Sequence, residues 1–81
     1  MNTQTKPLSH NNIANSVSRV WKKRILNTIL KNCKTAGYDS IVTNDTIVIG
    51  NLETDEVYLK ALRGHAGWLV RYNTDLFQDH P

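Results

Sequence analysis

Residues 13–37 read IANSVSRVWKKRILNTILKNCKTAG, and the way this stretch folds determines what the rest of the chain packs against. Ile13, Val17, Trp21, Ile25, Ile29 and Cys33 recur at every fourth position, a spacing that predicts an amphipathic helix. At about 100° per residue such a ridge drifts by about 40° per step and winds around the helix. Ala14 and Val20 join one face of the first half, whereas Leu26 and Leu30 of the second half look elsewhere. The expectation is one long N-terminal helix that either bends at residues 22–24 or buries its halves against different neighbours. Residues 25–33 are assigned to the chain's own core. The first half, with Val17 and Trp21, is left to meet a second copy or a target. Asn11 or Asn12 is the expected N-cap, since a short polar side chain accepts from the first free backbone N–H groups. Gly37 is the expected stop, supplying the left-handed residue that closes a helix. Lys31 and Lys34, in the last turns, suit the helix dipole.

Downstream the period changes to two. Ser40-Ile-Val-Thr43, Asn44-Asp45 and Thr46-Ile-Val-Ile49 read as a tight hairpin, with Asn and Asp suited to the positive φ of a primed two-residue turn. In that register Val42 faces Ile47 and Ile41 faces Val48, so both faces of the hairpin are apolar. Residues 50–56 form a polar connector. Residues 57–62 and 68–73 form a second hairpin around Arg63-Gly64-His65-Ala66-Gly67. Its expected register sets Ala61 against Trp68, Leu59 against Val70 and Val57 against Tyr72 on the core face. Tyr58 then stands opposite Arg71 as a cation–π pair. Asn73 or Thr74 is expected to cap a short C-terminal helical turn that folds Leu76 and Phe77 back onto the sheet. Upstream, residues 1–9 are polar and contain Pro7, and are read as a flexible arm. The predicted architecture is therefore α+β: an arm at 1–9, then one domain over 10–81 with the long helix packed on an antiparallel meander of about four strands.

Composition narrows the chemistry. The chain has 81 residues and one cysteine, Cys33, which excludes an internal disulfide framework. His10, His65 and His80 are scattered, and no zinc pattern or other metal or cofactor site is expected. No apolar run approaches the roughly 18 residues that span a bilayer, and the N-terminus carries no apolar export signal, so a cytoplasmic protein is expected. Paired carboxylates in a cleft, or a nucleophile beside a base, are not evident, and no catalysis is expected. Gly64-His65-Ala66-Gly67 joins two strands and lacks the Lys-Ser/Thr of a phosphate loop, so it reads as a turn. Cys33 keeps helical spacing with Ile29 and Leu30 and reads as core.

Charge is distributed unevenly. The formal net charge is +3, yet Lys6, Arg19, Lys22, Lys23, Arg24, Lys31 and Lys34 all precede residue 39, and every Asp and Glu follows residue 38. An ordinary exposed helix mixes signs to gain pairs between residues i and i+4; this one carries no acid. The asymmetry points to an anionic partner, most simply nucleic acid, for Arg19, Lys22, Lys23, Arg24, Lys31 and Lys34, with Lys60 and Arg71 as extensions. Mutual neutralisation of the two halves, within one fold or across a dimer, is the plain alternative. A basic amphipathic helix also suits an anionic membrane surface, a weaker fit because the strands need residues 25–33 as core.

In size and texture (short, rich in Asn and Thr, helix plus meander) the chain resembles small accessory proteins of phages and other mobile elements, including anti-restriction and anti-CRISPR inhibitors. That resemblance implies a protein-directed inhibitor or adaptor docking on a nucleic-acid-handling complex, and it assigns no residue roles. Many such inhibitors are acidic mimics of nucleic acid, a pattern from which this basic front half departs. For a protein-directed role Val17, Trp21 and Tyr58 are the candidate anchors. The winding helix stripe and the two-sided hairpin lead to an expected homodimer.

Overall fold

The computed structural model describes Ile13 and residues 15–77; the arm expected at 1–9 lies outside them. The order of elements is β1 (Ser16–Trp21), α1 (Lys23–Thr35), β2 (Asp39–Val42), β3 (Thr46–Asn51), β4 (Glu56–Gly64) and β5 (Gly67–Asn73). The five strands form one antiparallel sheet in the order β1-β5-β4-β3-β2. The class is α+β, with two corrections to the expected layout. The helix follows a first strand, and the sheet has five strands.

The break falls where the helical ridge changed direction. Ser16-Val-Ser-Arg-Val-Trp21 alternates along β1, which pairs with β5 from Ser16 opposite Asn73 to Trp21 opposite Trp68. Serine, β-branched valine and tryptophan are poor helix formers, and Val and Trp favour a pleated surface. The N-cap of α1 is Lys22, not Asn11 or Asn12, and it makes no side-chain capping hydrogen bond. From Lys23 the composition turns to Lys, Arg, Leu and Ile, and the helix runs on Leu26, Ile29 and Cys33 as its buried stripe. Gly37 ends it as expected. With φ of +94°, it lets its own N–H donate to the Lys34 carbonyl (3.1 Å) and that of Tyr38 to the Cys33 carbonyl (2.9 Å). Since β1 and β2 are opposite edges of the sheet, α1 crosses one face on the diagonal.

Trp21, Leu26, Ile29, Cys33, Ile47, Ile49, Leu59, Ala61, Trp68, Val70, Tyr72 and Phe77 form the core between helix and sheet. The β2–β3 register is the expected one. Its turn is not of the primed type, because positive φ among the described non-glycine residues belongs to Asn15 and Asp55. A side chain does the work instead: the Thr46 N–H donates to Thr43 Oγ1 (3.1 Å), while the Thr43 N–H donates to the Thr46 carbonyl (2.8 Å). The β4–β5 register is displaced by two residues from the expectation. Gly64 pairs with Gly67, Arg63 with Trp68, Ala61 with Val70 and Leu59 with Tyr72. A two-residue slide preserves which face each side chain occupies.

One feature of β4 reverses faces. Ile49 pairs with Leu59 but Gly50 pairs with Val57, leaving Tyr58 as the extra residue of a β-bulge. Beyond it Val57 packs with Val48 and Ile13 on the side away from the helix, while Tyr58 turns to the helix side and meets Tyr38 at 5.5 Å. Gly50 permits the bulge, since a Cβ there would overlap the Glu56 carbonyl oxygen. The C-terminal turn is present as a single turn. Asn73 Oδ1 accepts from the Asp75 N–H (2.7 Å), and Phe77 is buried while Leu76 stays exposed.

Candidate functional site

A 13-residue helix with one buried stripe turns its remaining positions outward. Lys22, Lys23, Arg24, Asn27, Thr28, Lys31, Asn32, Lys34 and Thr35 are all exposed. Measured around the helix from the centre of the Leu26–Ile29–Cys33 stripe, Arg24 and Lys31 lie near the opposite pole, with Asn27 about 50° to one side of it. The threonines beside them are turned inward: Thr28 Oγ1 donates to the Arg24 carbonyl (3.2 Å) and Thr35 Oγ1 to the Lys31 carbonyl (3.1 Å). The outward ridge thus presents the long groups of Arg24, Asn27 and Lys31, spaced i, i+3, i+7. Lys23 leans aside, with Nζ 5.1 Å from the Trp68 ring centroid, where the ring's negative face attracts it. Among the described residues no carboxylate pairs with Lys22, Lys23, Arg24, Lys31 or Lys34. The acids of the second half form no ion pair with the basic helix among the described residues.

The sheet separates the eight candidate cations. Arg19 shares the helix side of β1 with Val17 and Trp21 and so belongs with the helix group. Lys60 and Arg71 face each other across β4 and β5 on the other side. Arg71 Nε donates to Ser16 Oγ (2.9 Å) rather than stacking on Tyr58, so the expected cation–π pair is replaced. Two like charges directly opposite repel, and nearby Val20, Leu62 and Leu69, in register across β1, β5 and β4, are apolar and exposed.

The molecule is also polarised along the strands. The helix begins at the end where β1 finishes, beside the β4–β5 hairpin, and that end holds Lys22, Lys23, Arg24, Arg63 and His65 against one acid, Asp45, in the β2–β3 turn. The opposite end, where the β3–β4 connection lies, holds Asp39, Glu53, Asp55, Glu56 and Asp75. These acids serve turns: Asp39 Oδ2 accepts from the Leu52 N–H (2.8 Å), and Asp75 Oδ2 accepts from Asn15 Nδ2 (3.0 Å). Arg63 is an addition to the expected set. The sequence reading placed it in a five-residue loop. A two-residue His65-Ala66 turn instead extends β4 and sets Arg63 opposite Trp68, on the helix side with Lys23. The glycines at 64 and 67 were the signal for the shorter turn.

The proposed protein anchors fall mainly inside the molecule. Trp21 is 4 % exposed and stacks on Tyr72 at 4.9 Å, so its ring belongs to the chain's own core. Val17 is half-buried against the same core. Tyr58 is half-buried, and its hydroxyl donates to Glu56 Oε1 (2.9 Å); that hydrogen bond, with smaller help from burial, raises its pKa above the ordinary value. Cys33 is buried as expected for a core thiol. Among the described residues no helix is long and apolar enough to cross a membrane.

Compared with protein-family models, characterised proteins and solved structures, the chain matches none, so the functional reading rests on this geometry.

Proposed function

We propose that this chain is a small, non-enzymatic, cytoplasmic binding or regulatory protein whose basic helix contacts an anionic partner, most simply nucleic acid. The observation that supports it is the exposed surface of α1 and its N-cap, which carries Lys22, Lys23, Arg24, Lys31 and Lys34 without an acid on the helix or a carboxylate paired to any of them among the described residues. Cations held on a rigid element and left unneutralised attract phosphates by releasing condensed counterions, which needs no catalytic group and no cofactor. Arg19 and Arg63 extend this surface from the sheet.

The test is fluorescence anisotropy with labelled nucleic acid at increasing salt. Wild-type binding is expected to fall steeply with salt. Replacing Lys22, Lys23 and Arg24 together by Gln is expected to weaken binding to all sequences alike and to flatten the salt slope by about 0.9 per lost phosphate contact on duplex DNA. Absence of binding at low salt defeats the reading.

A protein-directed inhibitor or adaptor of a nucleic-acid-handling complex is the second reading. The row of Val20, Leu62 and Leu69 favours it, being 58 %, 39 % and 46 % exposed on the sheet face turned away from α1. Contiguous exposed apolar side chains of this kind mark contact surfaces on small proteins. The homodimer expected from the winding helix stripe and the two-sided hairpin loses its first motive, because Val17 and Trp21 belong to a strand of the chain's own sheet.

A further inference from the structure

Nucleic acids are recognised either by stacking unpaired bases on aromatic side chains or by reading a duplex through its grooves and backbone. This chain has two Trp, three Tyr and one Phe, and all six rings lie within the described residues. Trp21, Trp68, Tyr72 and Phe77 are core. Tyr38 and Tyr58 are half-buried and pack against each other, with Tyr38 also against Phe77 at 6.3 Å. No ring is presented on the basic helix face or among the exposed large apolar side chains. A single strand would therefore find charge here but no stacking platform.

The basic surface has the opposite shape, a ridge. One helix lies on one face of a sheet and stands above it, about 10–12 Å across with its side chains. The major groove of B-form DNA is about 12 Å wide and 8.5 Å deep and accepts such a helix, whereas the major groove of an RNA duplex is too deep and narrow for side chains to read. Along the crest stand Arg24, Asn27 and Lys31, spanning about 10 Å of helix axis. Arg reads guanine and Asn reads adenine by paired hydrogen bonds in that groove. Lys22 and Lys23 flank the crest at the end of the helix away from the acidic turn, placed for phosphates, and Arg63 stands farther along the same end of the sheet, its Nη1 donating to the Asn44 carbonyl at 3.5 Å.

We infer that the ligand of the basic helix is duplex DNA, with α1 entering the major groove, Arg24 and Asn27 facing base edges, and Lys22, Lys23 and Arg63 on the backbone. The inference rests on the nucleic-acid reading above and narrows it to one ligand class and one groove.

The experiment compares a DNA duplex, an RNA duplex of the same sequence and the two single strands by anisotropy, then selects preferred sites from a random DNA duplex pool with wild type and Asn27→Ala. Alanine raises helix propensity, so a circular dichroism check is expected to show an intact fold. The DNA duplex is expected to bind tightest. Asn27→Ala is expected to relax base preference at one position, with about 5- to 150-fold lost discrimination there, and to leave the salt slope unchanged. Single strands or duplex RNA binding as tightly as duplex DNA would overturn the inference while leaving the nucleic-acid reading standing. So would a base preference that Asn27→Ala does not alter. Binding to none of the probes would remove both.

Discussion

Cys33 sits under the helix with 4 % of its surface exposed, and burial pushes its thiol up to about 11 from an ordinary value of 9.0. The direction follows from solvation, because a thiolate loses its water shell in the core while a neutral thiol loses little. A raised folded-state value means that the native chain holds its proton where the unfolded chain releases it. The stability contributed by the neutral thiol is therefore complete below about pH 9 and declines as pH rises toward and through 11. Thermal melts of wild type and Cys33→Ala across this range should show wild type losing more stability than the variant. Parallel curves would mean that the thiol is hydrated in the native state. The same residue illustrates what sequence resolves well. Cys33 follows Ile29 by one helical turn in a segment of uniform helical composition, and its core position was legible from spacing alone.

Legibility fails in β1, for an identifiable physical reason. Val17 and Trp21 are four residues apart, and four is compatible with both the 3.6 period of a helix and the 2.0 period of a strand, while Ile13 lies before β1 and packs on the other face. The ridge therefore ran unbroken across a boundary where the backbone changes from strand to helix, and only the divergence of its two halves at residues 22–24 revealed it. Spacing was equally silent about the bulge at Tyr58. An extra residue leaves the alternation intact on either side but exchanges its faces, moving Val57 away from the helix and Tyr58 toward it. Among the candidate cations, the helix group was legible from charge pattern, and the alternation of the second hairpin already set Lys60 and Arg71 opposite its core face; that Lys60 stands directly against Arg71 required the register of the sheet. The strand assignment of β1 has a consequence for Trp21. Its ring pins an edge strand to the core through Tyr72, so Trp21→Ala is expected to cost about 3–5 kcal/mol of stability in chemical denaturation. The β1 amides should lose hydrogen-exchange protection before those of β3 and β4. A variant of wild-type stability would show that Trp21 is available for an external partner after all.

At the scale of the whole molecule, the separation of charge along the strands orients the chain relative to any polyanion. The helix is about 20 Å long, so the acidic turn lies about two Debye lengths from the basic N-terminal end at about 0.1 M salt. At that separation the acids contribute long-range repulsion that salt removes, rather than contact repulsion that persists. Replacing Glu53, Asp55 and Glu56 together by Gln, Asn and Gln tests the orientation with little disturbance of the turn. Asn tolerates the positive φ of +60° at Asp55, and a Gln carbonyl oxygen can accept from Thr54 and Tyr58 as Glu56 Oε1 does. The variant is expected to associate faster with duplex DNA at low salt, with the gain disappearing near physiological ionic strength. Stopped-flow association rates across a salt series measure this directly. If the gain survives at physiological salt, the carboxylates lie within contact range of the phosphates. The ligand would then approach the C-terminal end of α1, and the roles assigned to Lys22, Lys23 and Arg63 would pass to Lys31 and Lys34.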